Sequence, residues 1–310
     1  MPEQANYRTA DDVFGFWRDD VLSGKPQALY PIGTGELARI EVGPNLVTLI
    51  GGAPGAGKTA LIMQAVTDAL RLTPALKAVV CNVEMPPEVL LDRQLARLSG
   101  IALSNIRHRQ LGARHADRID VAMKTLESLV ERLCFVRPPF NLANVAATAD
   151  AFDAGLIVLD YIQRIHPPSN HDDHRGAVNE TMGYLRQFAD TGVAVVVISA
   201  VGRTKDSKGR SSYSGDGLTL ASFRESSELE FGADDAFILC PEEGEGGTLK
   251  LKHVKSRHGE ARDIVLAFDR RHQQFTATAS DKVRDLATPE PTSVRVVEQD
   301  GASGPRRRRR

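Results

Sequence analysis

The chain has 310 residues, room for one large α/β domain or two smaller ones, and its 42% hydrophobic and 25% charged residues exclude a disordered or fibrous protein. A formal net charge of -1 excludes a uniformly basic surface, so any nucleic-acid contact must come from local patches. No apolar run approaches the roughly 18 residues of a membrane span and no basic segment precedes an apolar one at the N-terminus, so a cytoplasmic location without membrane contact is expected.

Thr9 precedes Ala10-Asp11-Asp12, and Val13, Phe14, Trp17 and Val21 recur at helical spacing, which predicts a short amphipathic helix over about 10–22. Gly24, Pro26, Pro31, Gly33 and Gly35 then break the chain into a loop, so residues 1–35 read as a linker appended to a larger domain. From Leu46, short apolar runs alternate with longer helical stretches, the pattern of βαβ units in a mainly parallel sheet flanked by helices. Strands are expected at 46–50, 78–83, 133–136, 156–160, 193–199 and 235–240. Three helical stripes are expected to pack the core: Leu91, Leu95 and Leu98; Ile119, Met123, Leu126, Val130 and Leu133; Val178, Met182, Leu185 and Phe188. The scattered cysteines Cys81, Cys134 and Cys240 suggest neither a disulfide framework nor a zinc motif and read as buried strand residues.

Leu249 and Leu251, then Ile264, Leu266 and Phe268, alternate with polar residues on either side of Arg257-His258-Gly259-Glu260, which predicts a β-hairpin closing a domain over 36–279. Beyond about residue 280, Pro, Ser, Thr and charges replace apolar residues up to the arginine run 306–310. Residues 280–310 are therefore expected to be a disordered tail, whose arginines either bind nucleic acid or form a solvated end.

Gly52-Ala53-Pro54-Gly55-Ala56-Gly57-Lys58-Thr59 matches the phosphate-binding pattern G-x-x-x-x-G-K-[ST], after a strand and before the helical stretch 60–72. Its glycines let backbone N–H groups face phosphate oxygens, with the helix N-terminus behind them. Lys58 is expected to reach the β and γ phosphates of ATP, and Thr59 to offer its hydroxyl to Mg²⁺. Asp160 ends the apolar run Leu156-Ile157-Val158-Leu159, at the strand edge where α/β folds bind ligands. It is either the acidic partner of Mg²⁺ or a simple strand-ending aspartate. Glu84 ends the second strand and is either the base that activates a water or a cap for the helix after Pro86-Pro87.

The order of these segments over about residues 9–278 resembles the C-terminal motor domain of DnaB-like hexameric replicative DNA helicases, within the RecA-like P-loop superfamily. The resemblance rests on Asn82-Val83-Glu84-Met85-Pro86, Leu159-Asp160-Tyr161-Ile162-Gln163, Phe223-Arg224-Glu225-Ser226-Ser227-Glu228-Leu229-Glu230 ahead of Ala233-Asp234, and Lys255-Ser256-Arg257-His258-Gly259. It implies a RecA-like fold with ATP and Mg²⁺, a catalytic Glu84, a metal-binding Asp160, Gln163 at the nucleotide, and a six-membered ring. It also implies that Lys255 and Arg257 reach the nucleotide of a neighbouring subunit, and that the helix at 10–22 docks on an adjacent motor domain. Two residues apart on a strand, Lys255 and Arg257 can share a face, as would any charged pair on a surface hairpin.

This chain departs from the family at Ala200, where a glutamine taken to sense the γ phosphate is usual, and the helical domain that precedes the motor and meets primase is expected to be absent. Candidate contacts to single-stranded DNA are the loop 164–176 and the basic segment 203–210, with Arg203, Lys205, Lys208 and Arg210. The second suits phosphate contact inside a ring and also suits a solvated loop. The leading expectation is an ATP-driven, ring-forming helicase or translocase with possible replication or loader partners. Its rival is a RecA-like ATPase that acts as a nucleotide-switched assembly or recruiting protein without unwinding.

Overall fold

Apolar runs as continuous as Leu156-Ile157-Val158-Leu159 can be satisfied only if both faces of a strand are covered, because successive side chains point to opposite sides. In the computed structural model, Ile157 and Leu159 enter one core and Leu156 and Val158 the other. The neighbouring run divides in the same way, Val195 and Val197 against Ala194, Val196 and Ile198. Burial of each large side chain contributes about 1.5–3 kcal/mol, so the two cores together fix the register of the sheet.

The structure describes residues 7–202, 204–205, 211–212, 217–223, 227–241 and 248–278. The described residues all belong to the unit Met1–Thr278. The tail with its arginine run lies outside the described residues.

Parallel strands β1 (Val47–Gly52), β2 (Ala78–Asn82), β3 (Leu133–Phe135), β4 (Leu156–Asp160), β5 (Ala194–Ala200) and β8 (Asp235–Pro241) are joined by antiparallel β9 (Thr248–Ser256), β10 (Ile264–Asp269) and β11 (Gln274–Ala277). Among the described residues the sheet has nine strands in the order β11-β10-β9-β8-β1-β5-β4-β2-β3. This is the RecA-like α/β arrangement with a C-terminal antiparallel hairpin. The hairpin carries one strand more than the sequence suggests. β11 is four residues long, too short for a periodic signal, and Gln64 secures it from the neighbouring helix. The Gln64 side chain donates to Phe275 O at 2.9 Å and accepts from Phe275 N at 2.9 Å.

Helices α1 (Ala10–Ser23), α2 (Lys58–Leu72), α3 (Pro87–Ser99), α4 (Leu103–Arg107), α5 (Ala116–Glu127), α6 (Leu142–Phe152), α7 (His174–Asp190) and α8 (Ser227–Gly232) complete the described unit. No described helix is long and apolar enough to cross a membrane. The Thr9 hydroxyl caps α1 by accepting from Asp12 N, while the Asp12 carboxylate accepts from Thr9 N at 2.7 Å. Yet α1 has no buried residue: Phe14 and Trp17 contact each other with ring centres 5.6 Å apart and stay more than half exposed. Its apolar stripe has no cover within the described residues.

Two of the expected stripes shift in phase. Leu90, not Leu91, is sealed in the core, because the helix starts at Pro87 and turns Leu90, Gln94 and Leu95 inward. Ile119 and Leu126 do pack the small α3–α4–α5 cluster, but Met123 and Val130 are exposed and Leu129 is buried in place of Val130. α5 ends at Glu127, so the helical spacing does not continue to residue 130. Cys81 and Cys240 are buried, whereas Cys134, on the edge strand β3, is half-buried. The stripe of Val178, Met182, Leu185 and Phe188 packs the second core.

Candidate active site

The centre of the sheet builds the phosphate loop. β1 lies between β5 and β8, and its last residue, Gly52, opens the turn that leads into α2. Gly57 has φ +100°, and a Cβ there would fall 2.8 Å from Phe268 Cε1, so both backbone and space demand glycine. No side chain caps α2, which leaves its first N–H groups to an anion in the loop. Lys58 Nζ donates to Gly52 O at 2.8 Å and Ala53 O at 3.0 Å, folded along the loop. Burial pushes its amine below the ordinary lysine value, opposed by the Asp160 and Glu84 carboxylates.

Thr59, on the first turn of α2, donates its hydroxyl to Asp160 Oδ2 at 2.6 Å. Asp160, 3% exposed at the end of β4, also accepts from Asn82 Nδ2 at 2.6 Å, across the register that pairs Asn82 with Asp160. Burial raises its carboxyl above the usual range and the Thr59 hydroxyl opposes the rise. A buried carboxylate fed by neutral donors, with Glu84 adding repulsion, is placed to receive a cation. The other end of the Asn82 amide accepts from Glu84 N at 3.0 Å and Met85 N at 2.8 Å, so one side chain fixes both carboxylate-bearing segments. Pro86 is the N-cap of α3, no side chain caps that helix, and Glu84 instead faces a cleft.

That cleft holds about 490 Å³ and is lined by Gly55, Gly57, Lys58 and Thr59 from the loop, Glu84 and Met85 after β2, and Asp160. Ala200 stands at its wall, as do Phe268 and Arg270 of the hairpin. Arg93, which in sequence is one more charge on α3 and was not expected at the site, also reaches it. Its Nε is sealed from solvent and has no hydrogen-bond partner. Burial pushes the guanidinium below its ordinary value while the Asp160 carboxylate partly restores it. The only sequence signal was an arginine on the helical face that also carries the buried Leu90 and Gln94, where a charge is out of place.

Gln163 is not in the cleft wall. It donates to Ser199 Oγ at 2.8 Å and accepts from Ala200 N at 3.3 Å, which places its amide behind Ala200. Lys255 and Arg257 come together, but far from this cleft. Thr48 pairs with Asp235 and Asp235 with Ser256, so the two cations lie beside the start of β1, whereas the phosphate loop follows its end. Four residue steps of strand alone put roughly 13 Å between those levels. Lys255 Nζ donates to Glu230 O at 2.5 Å and Ala233 O at 2.6 Å, and Arg257 donates to Phe231 O at 3.0 Å and Asp234 Oδ1 at 2.8 Å. Of the basic segment, Arg203, Lys208 and Arg210 lie outside the described residues; Lys205 ends β6 (Thr204–Lys205), which pairs with β7 (Ser211–Ser212). The flanks of that segment are thus a narrow antiparallel ladder. Arg224, Glu225 and Ser226 also lie outside the described residues.

The residues fit a nucleoside triphosphate: the phosphate loop at the uncapped start of α2, Lys58 and the Arg93 side chain all line one cleft. It also fits Mg²⁺ held with a nucleotide. Among the described residues no three His, Cys, Asp or Glu gather around a common point, and a hydroxyl plus one carboxylate is the sparse protein contribution that Mg²⁺ takes beside phosphate and water oxygens.

The family model for the DnaB-like helicase C terminal domain matches residues 41–277. The chain is 25% identical over 245 residues to the replicative DNA helicase DnaB of Buchnera aphidicola subsp. Schizaphis graminum (strain Sg), an alignment covering 75% of this chain and 51% of that protein. It is 24% identical over 247 residues to the replicative DNA helicase DnaB of Buchnera aphidicola subsp. Acyrthosiphon pisum (strain APS), covering 76% and 52%. The chain thus spans about half the length of the curated relatives it matches. Among solved structures it superposes on an isolated ATPase domain with a TM-score of 0.76 at 18% identity, covering 88% of this chain and 100% of that one. A DnaB-like replicative helicase, described with its interactions with primase, gives 0.74 at 17% identity over 89% of this chain and 68% of that one. Likeness at such identities is likeness of fold.

Proposed function

Since the chain belongs to the family of DnaB-like helicase C-terminal domains, we propose that it is an ATP-dependent, ring-forming DNA helicase or translocase that acts on single-stranded DNA and hydrolyses ATP between subunits. One observation supports the reading: Lys58, Thr59, Glu84 and Asp160 line one cleft, while the paired cations Lys255 and Arg257 sit beside the opposite end of β1. Cations that cannot reach their own cleft are available to a neighbour's.

In this mechanism the phosphates lie against the N–H groups of residues 52–59, with Lys58 leaving the loop carbonyls for them and the Arg93 guanidinium meeting them from the cleft wall. Thr59 and Asp160 would hold Mg²⁺, which would supply positive charge to the phosphate oxygens. Glu84 orients a water and accepts its proton as the water oxygen bonds to the γ phosphorus and the bond to the bridging oxygen of ADP breaks. Arg257, assisted by Lys255, approaches from the next subunit and offsets charge on the transferring group, an effect of about 10³–10⁵ in rate for an arginine so placed. The exposed stripe of α1 docks on the adjacent motor domain, and Arg203, Lys205, Lys208 and Arg210 grip the DNA backbone without reading sequence.

Ala200 favours a second reading. Its methyl group stands at the cleft wall where a side chain able to hydrogen-bond the γ phosphate would couple hydrolysis to DNA, so the chain could serve as a nucleotide-switched assembly protein. ATP hydrolysis with and without single-stranded DNA, measured beside strand separation on a forked duplex, decides between them. A motor gives stimulation and unwinding; neither, at low salt, rejects the motor and leaves the switch.

A further inference from the structure

Asp234, between α8 and β8, is a buried carboxylate that the cleft does not use and that accepts three hydrogen bonds. It is 3% exposed. Its N–H donates to Val47 O and its Oδ2 accepts from Val47 N, both at 2.8 Å, so it closes a ring with the first residue of β1. On the other side its backbone carbonyl accepts from Arg257 N at 3.0 Å and its Oδ1 from Arg257 Nη1 at 2.8 Å. Arg186 of α7 supplies a second cation, donating to Oδ2 at 2.7 Å and to Asn45 O at 2.6 Å. Lys255 grips the carbonyls of Glu230 and Ala233, the latter adjacent to Asp234.

A buried carboxylate is tolerated only when its charge is met, and here two guanidinium groups and a backbone N–H meet it. The Arg257 side chain nevertheless remains 45% exposed. The contact therefore fixes part of a planar, five-donor group and leaves the rest facing outward. Without Asp234, Arg257 would be a flexible side chain just beyond the end of β9, held by Phe231 O and its own backbone bonds.

We propose that Asp234 is a positioning residue that ties the Arg257 tip to the foot of β1, so that one carboxylate sets the finger offered to a neighbour relative to the phosphate-loop strand of its own subunit. The proposal rests on the reading of Lys255 and Arg257 as acting in trans. Misplacement of such a group by about 1 Å costs on the order of 10²-fold in rate.

The test is Asp234→Asn, which keeps an acceptor for Val47 N and removes the charge that holds Arg257. Its kcat should fall about 10- to 100-fold with nucleotide affinity unchanged, since its own loop is intact. Mixed with Lys58→Ala subunits, under conditions where labelled subunits exchange, it should hydrolyse ATP faster than either variant alone, because its good loop can meet a good finger. If Asp234→Asn does not fold, Asp234→Glu, which retains the charge but displaces it, enters the same mixture. Activity of the asparagine variant equal to the parent overturns the proposal. So does failure of its mixture to recover when a parallel mixture of Arg257→Ala with Lys58→Ala does recover, because Asp234 then acts on its own subunit's site. If the Arg257→Ala mixture itself stays inactive despite exchange, the trans reading falls and this proposal falls with it.

Discussion

Replacing Arg93 by methionine separates a binding role from a packing role, because the two predict opposite signs. In the free protein the Arg93 Nε is sealed without a partner. An unsatisfied buried donor costs about 1–3 kcal/mol. Methionine preserves much of the packing volume and removes that cost, so the nucleotide-free melting temperature should hold or rise, by about 2–4 °C per kcal/mol relieved. With a nucleotide bound, the Arg93 guanidinium at the cleft wall would make a charge-assisted hydrogen bond worth about 1.5–3 kcal/mol. Triphosphate affinity should therefore weaken by about 10- to 150-fold, read by titration of a fluorescent ATP analogue, while differential scanning fluorimetry follows the fold. A variant that binds like the parent would refute the role assigned to Arg93. A melting temperature several degrees lower would show instead that Arg93 serves the packing of α3.

Lys58→Ala should weaken nucleotide binding, whereas Glu84→Gln should keep binding and slow hydrolysis, since phosphate capture and water activation are separate tasks; equal loss of binding in both variants contradicts the assignment. Gly57→Ala puts a side chain at φ +100° and 2.8 Å from Phe268 Cε1, a strain of about 1–3 kcal/mol, so both the melting temperature and nucleotide affinity should drop, and unaltered values would show that the loop does not need glycine there. The helix α1 should fray at acid pH. Hydrogen bonds from the Thr9 hydroxyl and N–H hold the Asp12 carboxyl below its ordinary value, so the stabilisation is fully present above 3.8 and is lost as pH falls through the lower folded value. Backbone chemical shifts of residues 10–13 should report that loss, and an Asp12→Ala variant that keeps the same pH dependence would assign it elsewhere.

The strands of the parallel sheet and the phosphate loop were legible in the bare sequence, for a physical reason common to both. A strand covered on two faces needs an unbroken apolar run, and a loop that wraps phosphate needs glycines beside a lysine and a hydroxyl, so each writes its requirement into adjacent residues. α1 was legible as well, because its Thr9–Asp12 cap is a contact three residues long. Features that adjacent residues do not encode were left to tertiary packing. The phase of α3 and α5 depended on where each helix starts and stops, which set Leu90 rather than Leu91, and Leu129 rather than Val130, in the core. β11 exists as a strand because β10 pairs with it and Gln64, 211 residues earlier, holds Phe275. For Glu84 the sequence offers a cap or a base; in the fold no side chain caps α3, the Asn82 amide holds the Glu84 backbone N–H, and Glu84 lines the cleft. Arg93 became a candidate only when the fold brought it to the cleft wall, and Asp234 only when the crossing of α7, β1 and β9 brought Arg186, Val47 and Arg257 to one carboxylate. Such long-range convergence leaves no period or spacing in the chain, because the partners are chosen by the sheet order and not by their distance in sequence.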